Sequence, residues 1–353
     1  MLSSHRLAIR RKILRWYDQN KRDLPWRRSR DPYAIWIAET MLQQTQVKTV
    51  IPYFEKFLAA FPTVDDLAHA PRPRVLRHWS GLGYYRRAEN LHRAARQIIQ
   101  RHGGQLPPEP EKLKALAGIG DYTAGALLSI AFNQPYAAVD GNVRRVLGRL
   151  CGLYDERRLR HSADALVPAT RPGDFNQAMM ELGATVCTPR TPNCPACPLR
   201  SLCAAVLRPS DTITAKGKNR KPNIDVVWPL AIVHRGSKIL LRRRASSGLL
   251  ASLWEIPGGE LTKRQPIAAA LAHHLPSAVN LDHAKRIGVI RHAITHRRIR
   301  APVYLIEAIK KREIALPGPR WRWVQLGTLH ALATSAMTAK AVRLLFTHEK
   351  TFL

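Results

Sequence analysis

From the first residues to about residue 207, apolar side chains recur at three- and four-residue intervals, the period of amphipathic helices. Start signals punctuate the pattern: Asp31-Pro32 pairs an N-cap with a proline at the first helical position, and Pro62-Thr63 and Pro71 open later helices. Further on the period shortens. VVWPLAIVH, KILLRRR, LWEIPGG, APVYLIEAI and RWRWV are strand-like runs bounded by Gly, Pro or charge, with helical patterns at about 266–274 and 329–348 between and after them. The segment between the two regimes, RPSDTITAKGKNRKPNID, is polar, basic and poor in large apolar residues. The expected organisation is an all-α domain over 1–207, a basic linker over 208–225 and an α+β domain over 226–353.

Composition narrows the partners. Lys and Arg number 57 against 25 Asp and Glu, a formal charge of +32. Basic side chains gain free energy by displacing counterions from phosphates, so a polyanion is the expected partner, with an anionic membrane surface as the rival. No run of about 18 apolar residues occurs, and MLSSHRLAIRRKILRWYDQN reads as a basic amphipathic helix without a signal-peptide core. The expectation is a cytoplasmic protein that does not engage the membrane. Four of the five cysteines, Cys187, Cys194, Cys197 and Cys203, fall within 17 residues with the spacing C-x6-C-x2-C-x5-C. Such spacing places four soft thiolates in one compact loop, which suits zinc or an iron–sulfur centre, and ligand type alone does not separate the two. Cys151 stands apart and reads as a buried free thiol.

LAGIGDYTAG, residues 116–125, lies between two helical patterns. Gly118 and Gly120 allow a tight turn and leave backbone N–H groups at the start of the next helix, a natural phosphate site that would position DNA without reading it. Alone, a GxG is equally an ordinary interhelical turn.

Four segments together resemble the helix-hairpin-helix glycosylases of the endonuclease III class, and within them the MutY family: WIAETMLQQTQVKTVIPYF, GLGYYRRAENL, LAGIGDYTAGALLSIAF with AAVDGNVRRVL, and NQAMMELGATVCTPRTPNCPACPLRSLC. The resemblance covers nearly all of 5–205, with the helix-hairpin-helix at about 114–133 and the metal loop at 187–203. It implies one [4Fe-4S] cluster on the four cysteines, two helical subdomains that grip kinked duplex DNA, and excision of adenine mispaired with 8-oxoguanine or guanine by a monomer.

That chemistry needs an acid for the departing base and an anion for the sugar cation, a pair of carboxylates in different environments. Glu39 lies in an otherwise apolar helix over 34–42, where burial would raise its pKa, although in isolation it is as readily an exposed helical glutamate. Asp140 opens a helix and in isolation reads as an N-cap. The resemblance makes Glu39 the acid and Asp140 the sugar stabiliser, assisted by Asn142. It also places Tyr122 where bifunctional relatives carry a lysine. A phenol cannot form a Schiff base, so a monofunctional glycosylase is expected. By the same match Arg22, Trp26, Leu42 and Glu181 line the adenine pocket, and Gln44, Leu82 and Tyr84 meet the duplex beside the lesion, helping to expel the target base.

The region around LLASLWEIPGGEL resembles the Nudix fold, but TKRQPIAAALAHHL has no carboxylate to hold Mg²⁺, so lesion recognition is expected in place of hydrolysis. Thr295 and His296 match a family loop that senses 8-oxoguanine, while Ile294 replaces its aromatic residue. Two competing functions remain on these residues: a thymine or oxidised-pyrimidine glycosylase, and a non-catalytic iron–sulfur protein that binds DNA or senses redox state.

Overall fold

The computed structural model describes residues 3–207, 222–246, 248, 250–262, 265–294, 296–308, 314 and 316–350. The chain forms two compact units, one from Met1–Ala70 and Arg86–Asn219, the other from Pro71–Tyr85 and Arg220–Leu353.

The first unit is helical. It contains α1 (Ser3–Asn20), α2 (Pro32–Leu42), α3 (Val47–Ala60) and α4 (Val64–His69); α5 (Arg72–His78) leaves it, and α6 (Arg86–His102) returns. Then follow α7 (Pro110–Lys114), α8 (Asp121–Ile130), α9 (Gly141–Cys151), α10 (Glu156–Leu166), α11 (Pro172–Thr185) and α12 (Ala204–Leu207). The N-cap expected at Asp31 forms: its carboxylate accepts from the amides of Tyr33 and Ala34 at 3.0 and 3.3 Å, with Pro32 in the first turn. Thr63 and Asp66 close a capping box on α4. One core gathers the apolar stripes of α1, α9, α10 and α11, and Cys187, Cys197 and Cys203 pack on its edge. Gly183 lets α11 approach α9 closely, since a Cβ there would lie 2.6 Å from Cβ of Asn142.

The second unit is a mixed sheet. Its strands are β1 (Ile224–Val227), β2 (Leu230–Arg235), β3 (Lys238–Arg243), β4 (Trp254–Glu255), β5 (Lys285–Ile294), β6 (Arg297–Glu307) and β7 (Trp321–Gln325). Their order is β1-β6-β2-β3-β4, with β5 paired to β6 and β7 to β3. Alternation sends Ile232, Ile239 and Leu241 to one face and Ala231, Val233 and Leu240 to the other, each face with its own apolar cluster. Met337, Ala341 and Leu345 of α14 (Ala336–Lys350) cover the first, and Leu271 of α13 (Ile267–His273) joins the second.

Three expectations change. Residues 71–85 do not stay with the helical unit. Arg72 donates to Ser252 Oγ at 2.9 Å, and the hydroxyls of Ser80 and Tyr85 both donate to the Thr334 carbonyl at 2.8 and 3.0 Å, contacts between distant parts of the chain that no local pattern announces. The linker ends early, because Ile224 and Asp225 already pair with Arg297 and Arg298 in β1; residues 208–221 lie outside the described residues. Finally, β5 was absent from the strand-like runs because charge interrupts it, yet all ten residues form a strand beside β6, with a register shift between Arg286 and Gly288. Among the described residues, no helix is long and apolar enough to cross a membrane.

Candidate active site

Three separate elements bring Glu39, Tyr122 and Asp140 into one electrostatic neighbourhood. Glu39 lies two turns into α2, which packs against α3, α6 and α8 and buries Ile35, Trp36, Ile37, Ala38 and Met41 with it. The residue is only 5% exposed. Tyr122, in the first turn of α8, donates its hydroxyl to Glu39 Oε2 at 2.5 Å. Burial pushes the Glu39 carboxyl up to about 7; the Tyr122 bond pulls it down, Asp140 pushes it up and Arg27 pulls it down. Burial and the charges of Glu39 and Asp140 drive the Tyr122 hydroxyl well above the usual phenol range, so it remains a donor. With Oε2 engaged by the phenol, Oε1 is the oxygen left to carry a proton.

Asp140 takes the N-cap place that its position in the sequence suggests. It caps α9 by accepting from the Val143 amide at 2.7 Å, and its other oxygen accepts from Asn142 Nδ2 at 2.9 Å. Burial raises its carboxyl, while these bonds and Arg145 oppose the rise. Arg145 extends the chain of contacts: it donates to Asn142 Oδ1 at 2.8 Å, to the Gly183 carbonyl at 2.7 Å and to the Cys187 carbonyl at 2.7 Å. The cysteine loop and the Asp140 turn are therefore fastened by one guanidinium.

The expected adenine-pocket residues divide into a polar cluster and an apolar wall. Arg22 grips Glu181 with two bonds of 2.5 and 3.0 Å, and Arg27 adds a third at 2.8 Å. Burial alone would raise the Glu181 carboxyl, but the hydrogen bonds and charges of Arg22 and Arg27 outweigh it and hold the group below the usual carboxylate range. Trp26 is buried and meets Phe54 edge-on at 5.5 Å, and Leu42 is half-buried at the end of α2.

Of the residues expected at the duplex, Gln44 and Tyr84 share an unusual backbone, with φ of 57° and 49°. Neither is glycine, so each conformation is strained. Tyr84 and Gln44 are both exposed. Leu82 differs: it is buried, and its amide donates to the Trp79 carbonyl. Tyr84 is therefore the residue of that loop that a duplex would meet. Gly118 is required by conformation, with φ of 81° and an added Cβ only 2.7 Å from Cβ of Asn90. Gly120 caps α8 with open space at its α-carbon, and no side chain caps the helix, which leaves its first amides to a ligand.

Cys187, Cys194, Cys197 and Cys203 line one cavity of about 320 Å³ together with Arg149, Arg190 and Arg200. Among the described residues no three His, Cys, Asp or Glu side chains are gathered to hold a single metal ion. Four thiols spread around a shared volume of this size suit a polynuclear group better than zinc, which draws its ligands in to about 2.3 Å. Burial and mutual repulsion raise the Cys197 and Cys203 thiols, so holding these two as thiolates calls for a cationic core. Arg149 donates to Cys187 Sγ at 3.3 Å and to the Thr188 carbonyl at 2.7 Å. Cys151 is half-buried, and burial pushes its thiol up to about 11.

In the second unit, the glutamates near the Nudix-like stretch already have cations. Glu255, buried, is bound by Arg242 and Arg244 at 2.9 and 2.8 Å, and Glu260 pairs with Arg297. His296 is half-buried and its carbonyl accepts from Ile224; Ile294 rests on the sheet's apolar cluster. Thr295 lies outside the described residues.

Sequence reasoning missed Arg27, Arg145 and Arg87. Arg87, on α6, is buried and donates to the carbonyls of Thr40, Met41 and Gln43 at 3.0, 2.7 and 2.5 Å, closing the end of the helix that carries Glu39 just before strained Gln44. The only signal was an arginine on an otherwise apolar face of α6, a weak one in so basic a chain.

Residues 37–168 match the HhH-GPD superfamily of base excision DNA repair proteins, and residues 229–344 match a NUDIX domain. The human protein "Adenine DNA glycosylase" is 36% identical over 95% of this chain and 73% of its own length. The rat protein of that name is 38% identical over 89% of this chain and 73% of its own. A thermostable thymine-DNA glycosylase structure aligns with 58% of this chain and 97% of its own, at 32% identity and a TM-score of 0.55. An endonuclease III–DNA complex aligns with 59% of this chain and 99% of its own, at 23% identity and a TM-score of 0.52, a likeness of fold.

Proposed function

The chain belongs to the adenine DNA glycosylases of base excision repair, and from that premise we propose that it excises adenine opposite 8-oxoguanine, and opposite guanine, with Glu39 as acid and Asp140 as sugar stabiliser. The observation that carries this reading is a pair of buried carboxylates in contrasting settings: Glu39 pushed up to about 7 and hydrogen-bonded to a phenol, and Asp140 held by an amide, an asparagine and a nearby arginine.

The flipped base enters beside Trp26 and Leu42, with the Arg22–Glu181–Arg27 cluster supplying polar recognition. Protonated Glu39 gives its proton from Oε1 to adenine N7. The C1′–N9 bond breaks, its electron pair leaves with the neutral base, and positive charge develops on the sugar. Asp140 meets that charge as an anion, and fixed charge aimed at a developing opposite charge supplies much of the acceleration in reactions of this kind. Water then adds to C1′, and its released proton restores the Glu39 acid. Tyr122 holds Glu39 but offers no amine, so the abasic strand stays intact.

The [4Fe-4S] cluster belongs on Cys187, Cys194, Cys197 and Cys203; when bound it supplies four iron–thiolate bonds that fold the loop, and the release of adenine needs none of its redox chemistry. Arg145 then keeps the folded loop and the Asp140 turn in register. Gln44 and Tyr84 meet the duplex beside the lesion, and the amides at Gly120 hold a phosphate. The second unit acts in lesion recognition through the Thr295–His296 loop, because its glutamates are neutralised by arginines where a hydrolase would hold Mg²⁺. The protein works as a monomer on the nucleoid.

The deciding experiment presents duplexes holding A opposite 8-oxoguanine, A opposite G, T opposite G, or thymine glycol, followed by alkaline cleavage of abasic sites. Strand breaks are expected only after alkali and only with the two adenine substrates. Release from T opposite G alone would instead favour the thymine reading raised by the 32% identical neighbour.

A further inference from the structure

A cavity of about 440 Å³ in the second unit is lined by four arginines, Arg74 and Arg77 from α5, Arg243 from β3 and Arg322 from β7, and by no carboxylate. Trp254, Leu76 and Leu332 supply apolar wall. Like charges that share a concave site repel one another, and the repulsion is relieved when an anion enters. The backbone beside it is strained as well. Ser252, which lines the cavity, has a φ of 61°, and Leu250 a φ of 55°, both in the left-handed region where neither residue type is at ease. Arg72 fixes Ser252 through its hydroxyl, and Arg243 donates to the Ser252 carbonyl at 3.3 Å. Strain held by two arginines around a basic hollow is how a ligand clamp is built.

We propose that this cavity is a phosphate site, and that its ligand is a backbone phosphate of the DNA strand met by Tyr84. α5 runs directly into the loop that carries Tyr84, seven residues beyond Arg77 and in the same compact unit. A phosphate seated among Arg77, Arg243 and Arg322 therefore fixes the distance between the backbone and the exposed Tyr84. The assignment rests on the proposed function for the identity of the strand, but the site itself requires only phosphate chemistry. A free nucleotide presents the same chemistry, with its base against Trp254, and is the alternative source.

The test measures binding of the full-length holoprotein to a duplex with a non-cleavable 2′-fluoro adenosine analogue opposite 8-oxoguanine, over a range of salt. Each phosphate contact contributes about 0.9 to the slope of log K against log salt. Arg77→Gln and Arg322→Gln are each expected to flatten the slope by about one contact and to weaken binding roughly tenfold, while Arg77→Lys keeps the slope. Circular dichroism establishes that each variant is folded, and Arg322→Gln, at an exposed strand position, carries the test should Arg77→Gln misfold. Replacing single phosphates by methylphosphonates should weaken the parent at one or two adjacent positions of the 8-oxoguanine strand, and weaken Arg322→Gln no further there. Unchanged slopes in both glutamine variants would overturn the site. Binding of dGMP that both variants abolish, with DNA slopes unaltered, would overturn the strand as ligand. Failure of adenine release by the parent would count against the proposed function and leave these salt slopes readable.

Discussion

Buried glutamates stand in opposite circumstances in the two units. In the second, Glu255 is 2% exposed and lies between Arg242 and Arg244; in the first, Glu39 is 5% exposed and has a tyrosine hydroxyl. Glu181, 1% exposed and in the same unit as Glu39, resembles Glu255 in having two arginines. Burial is nearly the same in all three, so burial alone does not make an acid. The difference is the cation. Two guanidiniums satisfy a carboxylate as an anion and turn it into a structural link, whereas a phenol leaves the anion costly and its proton available.

The sharpest way to break the comparison is Glu39→Gln. Base release should fall by about 10³-fold or more in single-turnover assays, since general acid catalysis is worth about 10² to 10⁴ and the amide has no proton to give. The same variant should be more stable at alkaline pH. A carboxyl raised from 4.5 to about 7 disfavours the folded state at pH above 4.5, increasingly up to about 7, and by about 3 kcal/mol once fully ionised. Below pH 4.5 the difference vanishes. Urea denaturation at pH 8 and pH 4.5 reads it, and equal stability of parent and variant at both values would contradict the buried-acid assignment.

Arg27→Met tests the opposite case, a buried carboxylate deprived of a cation. Removing one partner from such a cluster should cost about 3 kcal/mol in urea melts, because Glu181 stays buried with incomplete compensation. Smaller again is Tyr122→Phe. The profile of release against pH should fall as Glu39 loses its proton, at about 7 in the parent. Since the Tyr122 bond pulls the Glu39 pKa down, its loss should move that falling limb to higher pH, with a rate loss of about tenfold at the optimum. Glu260→Gln in the second unit should change least, by under about 1 kcal/mol, because its pair with Arg297 is partly open to solvent. A large loss there would show that the second unit relies on its carboxylates after all.

Much of this site was legible along the chain because its signals are local. Four cysteines within 17 residues must share a loop, and Asp140 before a helical pattern reads as its cap, while Glu39, on its own as readily an exposed helical residue, was picked out by the family resemblance. The arginines were not legible. Arg27, Arg87 and Arg145 are chemically identical to their many solvated counterparts and differ only in what faces them, across sequence separations of 154, 46 and 42 residues for Glu181, Met41 and Cys187. The placement of α5 with the second unit failed to show for the same reason, since the bond from Arg72 to Ser252 and those from Ser80 and Tyr85 to Thr334 join distant parts of the chain.

The sequence by itself therefore determined most of the elements, the change of period between helices and sheet, and the cysteine loop, because periodicity, capping and ligand spacing are properties of neighbours in the chain. Tertiary structure alone decided which buried glutamate is pushed toward its protonated form and which is held as an anion. That choice depends on whether a guanidinium or a phenol arrives within hydrogen-bonding distance, and electrostatics acts through space with no regard for sequence order.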